Sequence, residues 1–130
     1  MVTDPQRVQE LLEREWRAYA QARPRTLALW RRAEASMPNG VPMSWLRNSF
    51  EPIPMWVDEG SGSHFRDVDG HDYLDTNIAD MSMFTGYAPE PVVAAVSRRM
   101  ARGSRLMAPS EDAVGVAEEL GRRYAVPLWQ

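Results

Sequence analysis

The stretch "HFRDVDGHDYLD", residues 64–75, decides the fold. Its central Asp69-Gly70 pair is the dipeptide most typical of a two-residue hairpin turn, in which both central residues take positive φ. Short β-favouring runs separated by Gly-Ser chemistry precede it from residue 55. We therefore predict an antiparallel meander of three short strands, near residues 55–58, 64–67 and 72–76.

The same stretch holds four aspartates and both histidines of the chain, which raises the question of a metal or acid/base site. A calcium loop needs Gly at its sixth position and Glu at its twelfth, whereas counting from Asp67 gives Asp72 and Ile78. His64 and His71 are separated by the predicted turn and lack the short spacing typical of zinc ligands. We predict no metal site and interpret the polar residues as turn residues and the solvated face of a small sheet.

Helices are predicted on both sides of the meander. Asp4 followed by proline is a good start for a first helix, which should end near Arg23 because a proline follows. A second helix should stop before residues 37–40, a breaker cluster. After the meander, one helix should end at Gly103, and the next should be capped by Ser110.

The chain divides into four predicted regions. N-terminal helices occupy residues 1–36, an extended or looping segment 37–54, the β-meander 55–78, and a loop with two helices 79–130. The predicted arrangement is α+β: helices, then a three-stranded antiparallel meander, then two helices.

Composition excludes several kinds of chemistry. The net charge of -3, from 15 basic and 18 acidic residues, argues against a general nucleic-acid-binding surface. Cysteine and lysine are both absent, so the chain supplies neither a thiolate nor an amine nucleophile. There is no long apolar run and no leader-like N-terminus, and we predict a soluble, cytoplasmic protein without membrane contact.

Four stretches, in this order, carry a resemblance to a known family: "SMPNGVPMSWLRNSF", "PMWVDEGSGSHFRDVDGHDYLDTN", "GYAPEPVVAAV" and "MAPSEDAVGVAEELGRRY". Together they resemble the N-terminal part of class III aminotransferases of the pyridoxal-phosphate (PLP) fold type I group, in particular the glutamate-1-semialdehyde aminomutase branch. The family's meander signature is matched by Gly60, Gly62, Asp67, Asp69, Gly70, Tyr73 and Asp75. The resemblance implies an incomplete part of an α/β enzyme that works as a homodimer.

The resemblance also implies what this chain lacks. In the family, the phosphate loop, the aspartate that pairs with the cofactor and the Schiff-base lysine all come later in the sequence. Because the chain contains no lysine, it should be inactive alone and should not hold PLP covalently. We expect a truncated form, a split gene product or a proteolytic fragment that needs a complementary C-terminal chain or the remainder of its enzyme.

The segment after the "PNGV" motif resembles the part of the family that contributes to the substrate pocket. The matching positions are Ser44 and Arg47. An arginine suits this role because its planar fork can donate two parallel hydrogen bonds to a carboxylate. The alternative for Arg47 is a surface salt bridge or a helix-end contact.

The loop "ADMSMFTGY" resembles a family segment at the mouth of the active site, where the aminomutase branch has an aromatic residue. Here that position is Asp80, which would favour an amino group or another cation of a small substrate, and Met83 lies nearby. The alternative is that Met81, Met83 and Phe84 only pack in a hydrophobic core and do not contact substrate. A rival function for the whole chain is a non-catalytic protein-interaction module derived from the same fold.

Overall fold

The computed structural model describes residues 4–49, 53–103 and 107–129. It contains five α-helices and one three-stranded sheet, and the predicted α+β fold class is confirmed. The elements are α1 (Pro5–Ala22), α2 (Pro24–Glu34), a turn of 3-10 helix (Pro38–Gly40), α3 (Ser44–Ser49), β1 (Val57–Ser61), β2 (His64–Asp67), β3 (Asp72–Leu74), α4 (Glu90–Met100) and α5 (Glu111–Tyr124). Residues 1–89 and 90–130 form two compact units.

The junction between α1 and α2 follows from capping and proline chemistry. The Asp4 side chain accepts a hydrogen bond from Gln6 N at 3.0 Å, as predicted for an N-cap. Arg23 leaves the helical region, with φ -130° and ψ 60°, because Pro24 follows it. Pro24 in turn begins α2, where a missing N–H costs nothing. Ser110 precedes α5 as predicted, but its hydroxyl donates to Asp112 instead of capping the backbone.

A short helix, α3, replaces part of the segment that the sequence indicated to be extended or looping. The prolines that suggested an irregular chain lie outside Ser44–Ser49, and the six residues of α3 contain neither proline nor glycine. The chain before α3 is shaped by Asn39, which takes a left-handed φ of 59° inside the 3-10 turn. Breaker residues thus bracket α3 instead of preventing it.

The hairpin between β2 and β3 has a longer loop than the Asp69-Gly70 pair predicted. Gly70 N donates to Asp67 O at 3.0 Å, and Asp67 N donates to His71 O at 3.0 Å, so the loop contains three residues, 68–70. Gly70 has a φ of +94°, whereas Asp69 is not among the residues with positive φ. The prediction of a two-residue turn was wrong, and a three-residue loop ending in a left-handed glycine is the observed form.

The sheet presents two different faces. On one face the rings of Phe65 and Tyr73 stack with centroids 5.0 Å apart. On the other, Arg66 forms ion pairs with Asp72 at 2.8 Å and Glu59 at 3.1 Å, and all three side chains are well exposed. This second face is the solvated surface that the sequence predicted. Only the first face, with Phe65 and Tyr73, can therefore pack against other parts of the protein.

Several helices expose their apolar faces. Val8, Leu12 and Trp16 of α1 are 38%, 41% and 39% exposed, although their spacing places them on one face of the helix. The apolar residues of α4 are also exposed, as are Val114 and Tyr124 of α5. Contiguous exposed apolar surface is typical of a face that another protein surface covers. Within the described ranges, no helix combines the length and the apolar character needed to cross a membrane.

The left-handed conformation of Gly70 yields the first prediction. Replacing Gly70 by Val should lower the free energy of unfolding by about 1–2 kcal/mol, because a Cβ is strained at positive φ. No atom lies within 4 Å of the new Cβ, so steric crowding adds nothing. Gly70→Asn is the matched control and should cost less, since Asn tolerates this region. Urea unfolding of the three proteins measures the order, and a Val variant as stable as the parent would contradict the assigned backbone.

Candidate functional site

Asp67, at the end of β2, is a buried charge that joins the sheet to the helices. Its side chain is fully buried and accepts hydrogen bonds from Arg23 Nε at 3.2 Å and from the Tyr73 hydroxyl at 2.8 Å. Backbone N–H groups of Asp69 and His71 donate to its other oxygen at 3.0 and 2.9 Å. The His71 ring nitrogen lies 3.0 Å from the carboxylate. The carboxylate is therefore surrounded by donors from four residues.

The donors around Asp67 also fix its charge. Burial acts to raise the pKa of the Asp67 carboxyl, but the hydrogen bonds from His71 and Tyr73 outweigh it and lower the pKa to about 2. Arg23 is held in place from the opposite side, with its guanidinium carbon 3.9 Å from the centroid of the Tyr19 ring. A carboxylate ionised this firmly, with its lone pairs occupied, is a structural anion and not a general acid or base.

Asp69 extends the same contact to the start of α2. Its carboxylate accepts from the backbone N–H groups of Arg25 at 2.7 Å and Thr26 at 2.9 Å, the first-turn donors that have no partner within the helix. Asp67 and Asp69 thus attach the hairpin to the start of α2. The sequence predicted only a role in the turn for them. Among the residues that the structure describes, no group of three or more His, Cys, Asp or Glu could hold a metal ion.

Arg47, the predicted carboxylate ligand, lies on α3 against Trp30 of α2. Its guanidinium carbon is 5.2 Å from the centroid of the Trp30 ring, a cation–π contact. The Trp30 ring is fixed by its Nε1, which donates to Asn39 O at 3.3 Å. It is also fixed by Gly40, where a Cβ would lie only 2.5 Å from the ring. Nη1 of Arg47 is buried and has no hydrogen-bond partner in the described part of the chain.

Ser44 and Leu46, a residue that lines an apolar pocket, are close to Arg47 in the sequence. Ser44 begins α3 and is exposed, one helical turn before Arg47 and therefore on a neighbouring part of the helix surface. Leu46, between them, contributes to a pocket of about 140 Å³. The residues that line it are Val41, Pro42, Leu46, Pro54, Met55, Trp56 and Val57.

Asp80 lies in a loop, residues 76–86, that follows β3. Four consecutive residues of this loop, Ile78, Ala79, Asp80 and Met81, have left-handed φ values of 53°, 48°, 54° and 65°. Asp80 is exposed within this left-handed turn. Within this chain Met83 is 38% exposed, Met81 63% and Phe84 72%.

Asp75 organises the start of this loop. Its carboxylate accepts from the backbone N–H groups of Asn77 at 2.8 Å, Ile78 at 2.9 Å and Ala79 at 3.2 Å. The hydroxyl of Tyr87, beyond the far end of the loop, donates to the same carboxylate. The Tyr87 hydrogen bond is the main cause that lowers the pKa of the Asp75 carboxyl. One carboxylate therefore ties together both ends of the loop.

The four predicted site residues lie on two separate elements. Ser44 and Arg47 share α3, while Asp80 and Met83 share loop 76–86, and no hydrogen bond or ion pair within the described ranges joins the two elements. Sequence reasoning missed the contact between Trp30 and Arg47. It also missed the role of Asp75, for which an aspartate two residues before an asparagine at a strand end was the available signal.

Comparisons with known proteins agree on one group of enzymes. Over 97 residues, 75% of this chain, it is 35% identical to a glutamate-1-semialdehyde 2,1-aminomutase of Methanopyrus kandleri, of which it covers 22%. The crystal structure of a glutamate-1-semialdehyde-aminomutase from Pseudomonas aeruginosa PAO1 matches 98% of this chain at a TM-score of 0.86 and 35% identity. This chain covers 28% of that structure, and a variant of the same enzyme has been solved in complex with PMP.

A transaminase structure is also similar. An omega-transaminase from Sphaerobacter thermophilus matches 75% of this chain at a TM-score of 0.67 and 28% identity, with 22% of that structure covered. No family model matches the chain. The chain thus spans between a fifth and a third of the length of these relatives.

The lowered pKa of Asp67 predicts acid sensitivity. An aspartate in the unfolded chain has a pKa of about 3.9, so the unfolded state binds the proton more tightly and acid favours unfolding. The contribution of Asp67 to the free energy of unfolding, about 2 kcal/mol, is complete above pH 4 and is lost as the pH falls from about 4 to 2.

Urea unfolding of Asp67→Asn between pH 2 and 6 measures this contribution. The variant should be less stable than the parent at pH 6, and the difference should shrink towards pH 2. Asp58→Asn, at an exposed position of β1, is the control and should follow the parent. An Asp67→Asn variant whose stability falls as steeply in acid as that of the parent would contradict the role assigned to this carboxylate.

Proposed function

We propose that this chain, which is homologous to part of the glutamate-1-semialdehyde aminomutase-like enzymes of the class III aminotransferases, supplies the substrate-side segment of a PLP-dependent aminotransferase or aminomutase. Its relatives are about three and a half times as long, so the activity belongs to a larger enzyme of which this chain is one part. The observation that carries the proposal is the guanidinium of Arg47, which lies against the Trp30 ring and whose Nη1 has no hydrogen-bond partner within the described ranges.

The chain does not itself provide a covalent site for the cofactor. No residue in the sequence is a lysine, so no side chain can bind PLP as an imine. The PMP complex of the Pseudomonas aeruginosa relative supports PLP as the cofactor of the complete enzyme. We infer that the remainder of the enzyme holds the cofactor and that this chain alone is inactive.

Arg47 is the residue we assign to a substrate carboxylate. The planar guanidinium of Arg47 can donate two parallel hydrogen bonds to a carboxylate. The Trp30 ring restricts the guanidinium to one orientation before substrate arrives, which lowers the entropic cost of binding. The exposed hydroxyl of Ser44, one turn away, is a second donor for the same carboxylate.

Asp80 and Met83 are the residues we assign to the other side of the substrate. The exposed carboxylate of Asp80 would attract an ammonium group and repel an anionic end. Met83, partly exposed in the same loop, offers an adaptable apolar contact. The substrate class is therefore a small amino acid or amino-ketone that carries a carboxylate for Arg47 and a basic or neutral opposite end.

The exposed apolar faces support the need for partners. The stripe of Val8, Leu12 and Trp16 on α1 suits a surface covered by the remainder of the enzyme or by the second subunit of a homodimer. Zero cysteines and a net charge of -3 suit a cytoplasmic enzyme that binds no nucleic acid. The rival function, a non-catalytic interaction module, would use the same apolar faces but gives no role to the guanidinium of Arg47 against Trp30.

Substitution of Arg47 tests the proposal in the complete enzyme, meaning this chain together with its remainder. Arg47→Ala should weaken transition-state binding of carboxylate-bearing amino substrates by about 1.5–3 kcal/mol, as for hydrogen bonds to a charged group. Arg47→Lys should recover only part of the loss, because an ammonium lacks the two-pronged geometry. Cofactor absorbance should be unchanged.

Steady-state kinetics on matched amino acids and amines without a carboxylate separates the alternatives. Only the amino acids should respond to Arg47→Ala, and Arg31→Ala, at an exposed position of α2, should change neither class. Equal specificity constants for parent and Arg47→Ala would make Arg47 a surface residue. Loss of cofactor from Arg47→Ala would make it a structural one.

A further inference from the structure

We propose that Asp75 and Tyr87 are positioning residues: together they form a latch that holds the strained left-handed turn of residues 78–81, and the turn in turn presents Asp80 to the ammonium group of the substrate. The latch rests on the geometry of loop 76–86. Its link to substrate rests on the proposed function, in which Asp80 contacts the substrate's basic end.

The turn needs a latch because its backbone is strained. Ile78, Ala79, Asp80 and Met81 all have side chains, yet all have φ between 48° and 65°. L-residues avoid this region because Cβ approaches the following carbonyl oxygen, and left-handed residues normally occur singly. A run of four persists only when surrounding contacts over-determine it, and such strain is typical of functional segments.

The Asp75 carboxylate supplies the contacts that oppose this strain. It accepts from three successive backbone N–H groups, those of Asn77, Ile78 and Ala79, at 2.8–3.2 Å. These donors lie at the entrance of the turn, where the backbone changes to left-handed values. The Tyr87 hydroxyl donates to the same carboxylate and fixes its orientation.

The latch is anchored to the sheet through Tyr87. Tyr87 N donates to Gly62 O at 2.8 Å, and Gly62 N donates to Tyr87 O at 3.0 Å. Its ring lies directly on β1, since a Cβ at Gly60 would be 2.7 Å from Tyr87 Cγ. Both ends of loop 76–86 are thus attached to the meander, while Asp80 between them is exposed. A rigid base with an exposed carboxylate at its centre is the arrangement expected for a residue that must be held in one place to meet a ligand.

Amide hydrogen exchange tests the latch directly, without relying on activity. In the complete enzyme, Asp75→Ala should accelerate exchange of the Asn77, Ile78 and Ala79 amides by about tenfold or more, as for the loss of hydrogen bonds to a charged group. Tyr87→Phe keeps the ring and removes only the hydroxyl, so it should accelerate the same amides less and leave the β2 and β3 amides unchanged. Unaltered exchange in both single variants would overturn the latch.

Kinetics in the same variants test what the latch positions. For amino substrates with a distal ammonium, Asp75→Ala and Tyr87→Phe should raise KM by up to about tenfold with little change in kcat, while uncharged isosteres should be unaffected. Asp80→Asn should produce the same KM pattern without altering exchange at residues 77–79. An equal rise in KM for charged and uncharged substrates would overturn the role of the turn. If the parent enzyme transfers no amino group, the proposed function fails together with the substrate role, and the exchange result still decides the latch.

Discussion

The buried carboxylate of Asp67 is the interaction on which the rest of the first unit depends. It binds Tyr73 in β3 and the backbone of its own hairpin loop, and it also binds Arg23 at the α1–α2 junction, 44 residues away in the sequence. Among the described residues of this unit few apolar side chains are buried, so polar contacts carry much of its tertiary structure. Asp69 completes the joint by capping the first turn of α2. Removing one partner of such a buried network costs more than a surface contact would, because the remaining charge is left without compensation.

The sheet uses the same device twice. Asp67 at the end of β2 and Asp75 just after β3 each accept from backbone N–H groups that follow them, and each also accepts from a tyrosine hydroxyl, that of Tyr73 or Tyr87. The first pair attaches the sheet to the helices, which include the Trp30 platform of Arg47. The second attaches the loop that carries Asp80. The two candidate substrate contacts therefore derive their positions from one small meander with an aspartate–tyrosine pair at each end.

Local sequence patterns predicted the helices and strands. They did not predict features that depend on contacts between residues far apart in the sequence. The bounds of α1 and α2 follow from Asp4, Pro24 and the breaker cluster, and the meander follows from alternation and turn residues. The burial of Asp67 could not be predicted, because its partner Arg23 is 44 residues away in the sequence. Neither could the left-handed turn, since Ile78 and Met81 are poor left-handed residues by local preference, and hydrogen bonds to the side chains of Asp75 and Asn77 help to hold the turn. For the residues of α3 the sequence predicts a loop, because nearby prolines dominate the local pattern.

The central claim is that this chain supplies the substrate side of a PLP-dependent enzyme while the cofactor is held elsewhere. Borohydride reduction of the complete enzyme with PLP, followed by peptide mapping, tests it most directly, because the chain contains no lysine and only its terminal amine could form an imine. The account predicts reduced cofactor on a lysine of the remainder and on no internal residue of this chain. Cofactor on an internal residue of this chain, or none anywhere in the assembly, would contradict it.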